Sequence, residues 1–314
     1  MKNETAINFF YIVPFSGEAK NKPIISTFFC LIYLIGVLVN FSIITVICLE
    51  VQLHKPMYLF ICNLSIVDMF FTSITVPKLL HMLFSGNHIV SFSQCYTQLY
   101  FFLAVGIAEE ILLFIMAYDR YVAICIPLHY HQILSQRNCI LITFGIWAAA
   151  FLNSLVLVES TLNMTSCHSN IIHQIFCDMK SLTRIICTGK TMFFVIMGIE
   201  TLIFSLVPVL GTCISYVKIF KIIFKMKSKE SRRKAFSTCS SHLTVMSIYY
   251  GSCLAEYLMP AYSDFLDVIF NVVYINIIPM VNPIIYSLQN ANVQSALLRF
   301  IKEMFFLKIN SHLN

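Results

Sequence analysis

Seven apolar stretches of about 20 residues or more divide this chain of 314 residues, and their length leaves few folds open. They run near Ile24 to Leu49, Met57 to Leu80, Tyr96 to Ala123, Ile140 to Val158, Met192 to Phe224, Ala235 to Tyr257 and Val268 to Leu288. A helix rising about 1.5 Å per residue needs about 20 residues to cross a hydrocarbon core of about 30 Å. Lipid offers no hydrogen bonds to a peptide group, so each stretch must satisfy its own backbone as a helix. With 58% hydrophobic and 11% charged residues, the chain is too apolar for water to be its main solvent. The pattern predicts an all-α membrane protein, a seven-transmembrane helix bundle.

The basic residues orient it. Fourteen of the 21 Lys and Arg fall on one side or at its edge: Lys55, Arg120, Arg137, Lys218, Lys221, Lys225, Lys227, Lys229, Arg232, Arg233, Lys234, Arg299, Lys302 and Lys308. The positive-inside rule makes that side cytoplasmic, with the amino terminus outside and the carboxyl terminus inside. Lys20 and Lys22, ahead of the first stretch, oppose this locally, and the Lys218 to Lys234 cluster outweighs them. The net charge of +6 is thus a topology signal, and nucleic-acid binding is a poor reading of it. Residues 1 to 22 lack the basic run, short apolar core and small-residue site of a cleaved leader, so the first span is expected to serve as its own insertion signal.

This topology sorts the twelve cysteines. Eight lie within or at the inner ends of spans, while Cys95, Cys167, Cys177 and Cys187 reach the oxidising side, where four thiols allow three pairings. The sequons at Asn3 and Asn163 fall on the same outer side, where glycosylation is possible. A third, Asn63-Leu64-Ser65, lies inside a span and reads as chance.

No internal period or duplicated half is apparent, which favours a single bundle. The expected divisions are residues 1–23 as an extracellular amino terminus, 24–288 as the bundle and 289–314 as a cytoplasmic helix and tail. Between the fourth and fifth spans, Glu159 to Thr191 is long enough to fold over the outer mouth. After the seventh, Val293, Leu297, Phe300, Ile301 and Phe305 share one face of a short amphipathic helix, with Arg299, Lys302 and Lys308 available to lipid headgroups.

Chemistry concentrates at a few polar residues in apolar surroundings. Asp119-Arg120-Tyr121 ends the third span, where an Arg can snorkel to the headgroups while its neighbouring acid holds it. Asn40, Asp68, Glu109 and Asn282 each fall near the middle of a span, where an isolated polar group is costly and turns toward the bundle interior. Glue between helices is the plainer alternative to a switching role.

Ordered motifs run along nearly the whole chain: Gly36 to Asn40, Leu53-His54-Lys55-Pro56-Met57-Tyr58, Asn63-Leu64-Ser65 with Asp68, Met116 to Cys125, Ser215-Tyr216, Lys234 to Leu243, and Pro279 to Leu288 with its Asn282-Pro283-Ile284-Ile285-Tyr286 core. Together they resemble the olfactory receptors among the rhodopsin-like (class A) G-protein-coupled receptors. Lys55 stands where the family often has Thr, Gln289 where Arg is usual, and Glu110 beside Glu109 is unusual.

The resemblance implies an odorant receptor of the plasma membrane. It would bind small volatile or hydrophobic molecules and activate a stimulatory, olfactory-type heterotrimeric G protein to raise cyclic AMP. Asp119 and Arg120 would form a resting clasp, flanked by Lys234 and His242, with Tyr216 and Tyr286 as phenols that receive Arg120 when the helices part. Asp68 and Asn282 would join a water or sodium network, with Asp68 and Glu109 as the pair able to hold the ion and no other cofactor expected. Cys95 would bridge Cys177, and Cys167 would bridge Cys187. The ligand is expected in the outer half of the bundle, among Phe102, Val105, Gly106 and Glu109 of the third span, Tyr250, Cys253, Leu254 and Tyr257 of the sixth, Ile275 of the seventh and Glu200 of the fifth.

Two other classes compete. A transporter or channel could use the midplane acids as an ion path, but repeats and broken helices are missing from the pattern. An enzyme is disfavoured because neither His-Glu-x-x-His nor a nucleophile elbow appears.

Overall fold

A computed structural model describes residues 9–13, 22–162, 170–185, 190–258, 271–289 and 291–311. Its bundle comprises α1 (Lys22–Leu49), α2 (Pro56–Ser85), α3 (Phe92–Cys125) and α4 (Gln136–Leu162). The fifth helix, α5, runs from Lys190–Glu200 through a π-helical turn, Thr201–Leu206, into Val207–Lys225. Next come α6 (Lys229–Leu258), α7 (a π-helical Val273–Ile277 continued by Ile278–Gln289) and, beyond the bundle, α8 (Ala291–Ser311).

Local signals explain the helix ends. Pro56 opens α2, where its missing N–H costs nothing, and Gly86 closes it at φ 69, a left-handed conformation that suits a residue without Cβ. At the start of α3, the Ser91 side chain accepts from the Gln94 backbone N–H and the Gln94 side chain accepts from the Ser91 N–H, each at 3.3 Å, a reciprocal capping box.

Solvent preference is inverted relative to a soluble protein. Phe28, Leu38, Phe41, Phe144, Leu152, Phe194, Ile214 and Phe224 lie on the outside, whereas Asn40, Asp68, Glu109 and Asn282 lie within. Helices α1 to α5 are long and apolar enough to cross a membrane unaided. Helix α6 does not reach that threshold, because it opens on Lys229-Glu230-Ser231-Arg232-Arg233-Lys234 and continues through hydroxyl residues. The apolar part of α7 among the described residues is the shorter Val273–Tyr286.

The helical bundle carries one small addition, a three-stranded sheet at the end that holds Cys95. Strand β1 (Phe9–Ile12) pairs antiparallel with β2 (Ile89–Ser91) and parallel with β3 (Ile171–Ile172), in the order β2-β1-β3. Phe10 and Ile12 point inward while Phe9 and Tyr11 are exposed, the two-residue alternation of a half-buried strand. The sheet ties the amino-terminal segment to two loops on the same end. One core cluster lies there, around Phe29, Leu79, Met82, Leu99, Phe176 and Ile275; a second, around Ile43, Phe60, Leu64, Leu112, Ile219 and Tyr249, fills the other half.

Helix α8 packs where the amphipathic pattern places it, with a different division of labour. Val293 and Ala296 are buried and Leu297 and Phe300 lean on the core, but Ile301 is exposed. Arg299, expected among headgroups, instead donates through Nε and Nη2 to Glu50 Oε1 at 3.2 and 2.9 Å, beside the end of α1. The Asn292 amide donates to the Tyr58 hydroxyl at 3.1 Å and pins α8 to α2.

Candidate functional site

The midplane residues gather as their cost in lipid requires. Asn40 Nδ2 donates to Gly36 O at 3.0 Å in its own helix and to Pro279 O at 2.9 Å, joining α1 to α7. Pro279 O is available because residue 283, one turn on, is proline and has no N–H to donate. Asn282 Nδ2 donates to Asp68 Oδ1 at 3.0 Å, joining α7 to α2. Glu109 of α3 is buried close enough to Asp68 for their charges to interact. Asn40 Oδ1, Asp68 Oδ2 and Glu109 Oε1 remain buried without a protein partner. Buried acceptors on three helices thus share one region without a protein donor.

At the end opposite the sheet, Arg120 is held by its neighbour Asp119, with Nε donating to Oδ2 at 2.9 Å. The other carboxylate oxygen, Oδ1, accepts from the Tyr130 hydroxyl at 2.8 Å. Tyr130 starts a short helix, Tyr130–Ile133, between α3 and α4. Burial first, and then the Asp119 charge, push its phenol above the usual tyrosine range, so it stays a donor. The Tyr216 hydroxyl pairs with His242 Nδ1 at 2.7 Å, joining α5 to α6. Tyr286 is buried with its hydroxyl unpartnered, and Pro283 is buried inside α7. Tyr121 lies under Lys218, whose Nζ is 5.3 Å from the ring centroid.

The other end is roofed. Cys95 at the start of α3 is bonded to Cys177, with a Cα–Cα distance of 5.4 Å, closing a loop of 82 residues in sequence. Gln98 supports the attachment, accepting from the Cys177 N–H at 3.0 Å and donating to Ile74 O at 2.9 Å. The bridge sets Phe176 against Phe102, with ring centroids 4.6 Å apart. Phe102 in turn meets Phe71 edge-on at 5.2 Å, and Phe71 meets Tyr274 at 5.4 Å. Gln174 accepts from Asn271 Nδ2 at 2.9 Å, so the same loop also grips α7. Gly106 lies against Phe71 and Tyr274, Val105 and Ile275 are buried, and Tyr250 is half-buried.

Comparison with known proteins resolves which bundle this is. Residues 29–304 match the family model described as olfactory receptor. This chain is an olfactory receptor family member. Olfactory receptor 1A1 of Homo sapiens is 37% identical over 310 residues, covering 98% of this chain and 99% of that one. Olfactory receptor 1G1 of Gorilla gorilla gorilla is 39% identical over 302 residues, covering 96% of each. Among solved structures, squid rhodopsin superposes with a TM-score of 0.71 over 90% of this chain and 81% of its own, at 15% identity, which speaks for the fold. The protein is a G-protein-coupled odorant receptor of the plasma membrane, not an enzyme.

The receptor's structure puts four pairs of the expected residues in contact. Asp119 with Arg120, Tyr216 with His242, Asp68 with Asn282, and Cys95 with Cys177 are in direct contact. In this arrangement the Tyr216 hydroxyl is taken by His242 and the Tyr286 hydroxyl has no hydrogen-bond partner. Glu200 stands beside Asn153 of α4, and its Oε1 is buried. Asn63 is buried in α2 and accepts from Trp147 Nε1 at 3.4 Å, consistent with a chance sequon. The side chains of Lys234, Cys253, Leu254, Tyr257 and Phe305 lie outside the described residues, as do Asn3, Asn163, Cys167 and Cys187.

Sequence reasoning missed Tyr130, Phe71, Gln98, Phe176 and Ser205. Tyr130 and Phe176 come from connections, where no periodicity marks an inward residue. Glu110 was noticed only as an oddity, yet its carboxylate accepts from Ser205 Oγ of α5 at 2.9 and 3.1 Å.

Proposed function

We propose that the receptor binds a small volatile or hydrophobic molecule beneath the roof made by Phe176, and that binding favours a second arrangement of the opposite end. There a stimulatory, olfactory-type heterotrimeric G protein is activated and cyclic AMP rises. The observation that carries the reading is the clasp: Arg120 is occupied by Asp119, and the buried Tyr286 hydroxyl is unsatisfied. One arrangement thus leaves a hydrogen-bonding group idle that a second can use. A ligand moves such an equilibrium only through its differential affinity for the two states.

In this reading the sheet and the Cys95–Cys177 bridge face the outside, while the exposed Lys218 to Arg233 cluster meets the cytoplasmic leaflet and the G protein. A second bridge between Cys167 and Cys187, and glycans on Asn3 and Asn163, belong to the same outer side. The buried, unpartnered Asp68 Oδ2 and Glu109 Oε1 support a sodium ion between them; it would neutralise their charge and weight the resting arrangement.

The test is a cyclic-AMP reporter in cells carrying the receptor at the surface, run against an odorant panel beside an ion-flux recording. The expected result is an odorant-dependent cyclic-AMP signal without flux, lost in Arg120→Ala at equal surface level. Normal signalling by Arg120→Ala to every agonist would overturn the reading.

A further inference from the structure

Between the roofed cup and the clasp lies a hydrogen-bonded chain that the mechanism above does not use. Glu110 of α3 accepts from Ser205 Oγ of α5 on both oxygens, at 2.9 and 3.1 Å, and from the Tyr249 hydroxyl of α6. The Tyr274 hydroxyl of α7 donates to Tyr249 at 3.4 Å. A single acid therefore collects donors from α5 and α6, and α7 joins the chain through Tyr249. Ser205 and Tyr274 each lie in a π-helical turn, Thr201–Leu206 and Val273–Ile277. Such turns advance the following residues around the helix and recur at functional sites.

The chain borders the cup. Phe102, Gly106 and Glu110 follow one another at four-residue steps on one row of α3. Gly106, directly above Glu110, leaves open the space where a Cβ would meet Phe71 Cζ at 3.7 Å and the Tyr274 hydroxyl at 3.9 Å. The wall above is aromatic, formed by Phe102, Phe71 and Phe176. A molecule seated there meets apolar surface until its deepest end, where the groups on hand are a carboxylate acceptor and two phenols.

We propose that Glu110 is a specificity-determining residue, selecting ligands whose buried end carries a hydrogen-bond donor, such as aliphatic alcohols, phenols or amines. The incoming O–H or N–H takes the place of Ser205 or Tyr249 at the carboxylate. It thereby frees α5 or α6 from α3 while satisfying the acid. An ether of equal size leaves the acid with its own donors and gains nothing by displacing them. A polar site left unpaired by an analogue discriminates far more strongly than a missing methylene does. This inference deepens the odorant-receptor reading and rests on it.

The experiment pairs two readouts on the full chain. Purified receptor is assayed by thermal unfolding with straight-chain alcohols of six to ten carbons and the methyl ethers of matched length. Cells carrying the same variants are assayed for cyclic AMP at measured surface density. The expected result is a midpoint concentration for alcohols at least tenfold below that for the ethers. In Glu110→Gln, whose amide offers both an acceptor and a donor, that ratio should fall toward one while the fold is kept. In Ser205→Ala, which removes a competing donor, the alcohols should act at lower concentration. Equal stabilisation of the wild type by alcohols and ethers, or an unchanged ratio in Glu110→Gln, overturns the proposal. An alcohol preference in the binding assay without any cyclic-AMP signal would instead count against G-protein coupling and leave the role of Glu110 standing.

Discussion

The Tyr130 hydroxyl donates a 2.8 Å hydrogen bond to Asp119 Oδ1, on the carboxylate whose other oxygen holds Arg120. The acid of the clasp is thus gripped from two directions, one within α3 and one from the connection to α4. A hydrogen bond to a charged group contributes about 1.5–3 kcal/mol. Tyr130→Phe removes it while keeping the ring, so unstimulated cyclic-AMP signal should rise, up to about tenfold for each 1.4 kcal/mol by which the resting arrangement is weakened. Basal signal at matched surface density is the measurement, and no change would mean that this bond survives in both arrangements.

The Cys95–Cys177 bridge is the covalent support of the roof over Phe102. Removing a native disulfide in an oxidising compartment costs roughly 2–5 kcal/mol. Cys95→Ser and Cys177→Ser should each lose surface delivery, and the double variant should be no worse than either single one. Flow cytometry on unpermeabilised cells reads this directly.

Gly211 of α5 faces the Phe114 ring of α3. A Cβ built there would lie 2.6 Å from Phe114 Cε2, a distance real side chains do not tolerate. Overpacking of this kind costs about 1–3 kcal/mol. Gly211→Val should therefore lower the thermal midpoint of purified receptor, and Gly211→Val with Phe114→Leu should recover most of the loss.

Asn282 Nδ2 of α7 donates to Asp68 Oδ1 of α2 at 3.0 Å. Leaving a buried acceptor unsatisfied costs about 1–3 kcal/mol. Asn282→Ala should destabilise the purified protein by that order. Raising sodium should recover part of the stability if a cation takes the amide's place, which a melting series in sodium against a bulky organic cation would show.

Asp178, next to the bridge on the outer loop, caps the short helix Met179–Ile185 through contacts of 3.3 and 3.4 Å from the Ser181 N–H. Burial raises its carboxyl above the ordinary aspartate range, against the opposing pull of Ser181, Lys180 and Arg184. A folded-state value above the unfolded one means that the folded loop binds the proton more tightly. Its contribution is therefore greatest at acidic pH and declines as pH rises from the usual aspartate value through the raised one. Hydrogen-exchange protection of Met179–Ile185 should fall over that interval, and Asp178→Asn should abolish the dependence.

Sequence by itself determined the solvent, the helices and the polar residues that must turn inward, because the cost of bare backbone and stray charge in hydrocarbon is large and local. Asn40, Asp68, Glu109, Asp119, Arg120 and Asn282 were legible for that reason, and the motifs around them carried the family. Tertiary structure alone decided who meets whom. The pairing of Tyr130 with Asp119, the laying of Phe176 on Phe102 by a distant disulfide, and the strand made by Phe9–Ile12 join residues from connections that carry no helical period. The partnership of Glu110 with Ser205 depends in addition on a π-helical turn, a one-residue shift in register that hydrophobic periodicity does not record.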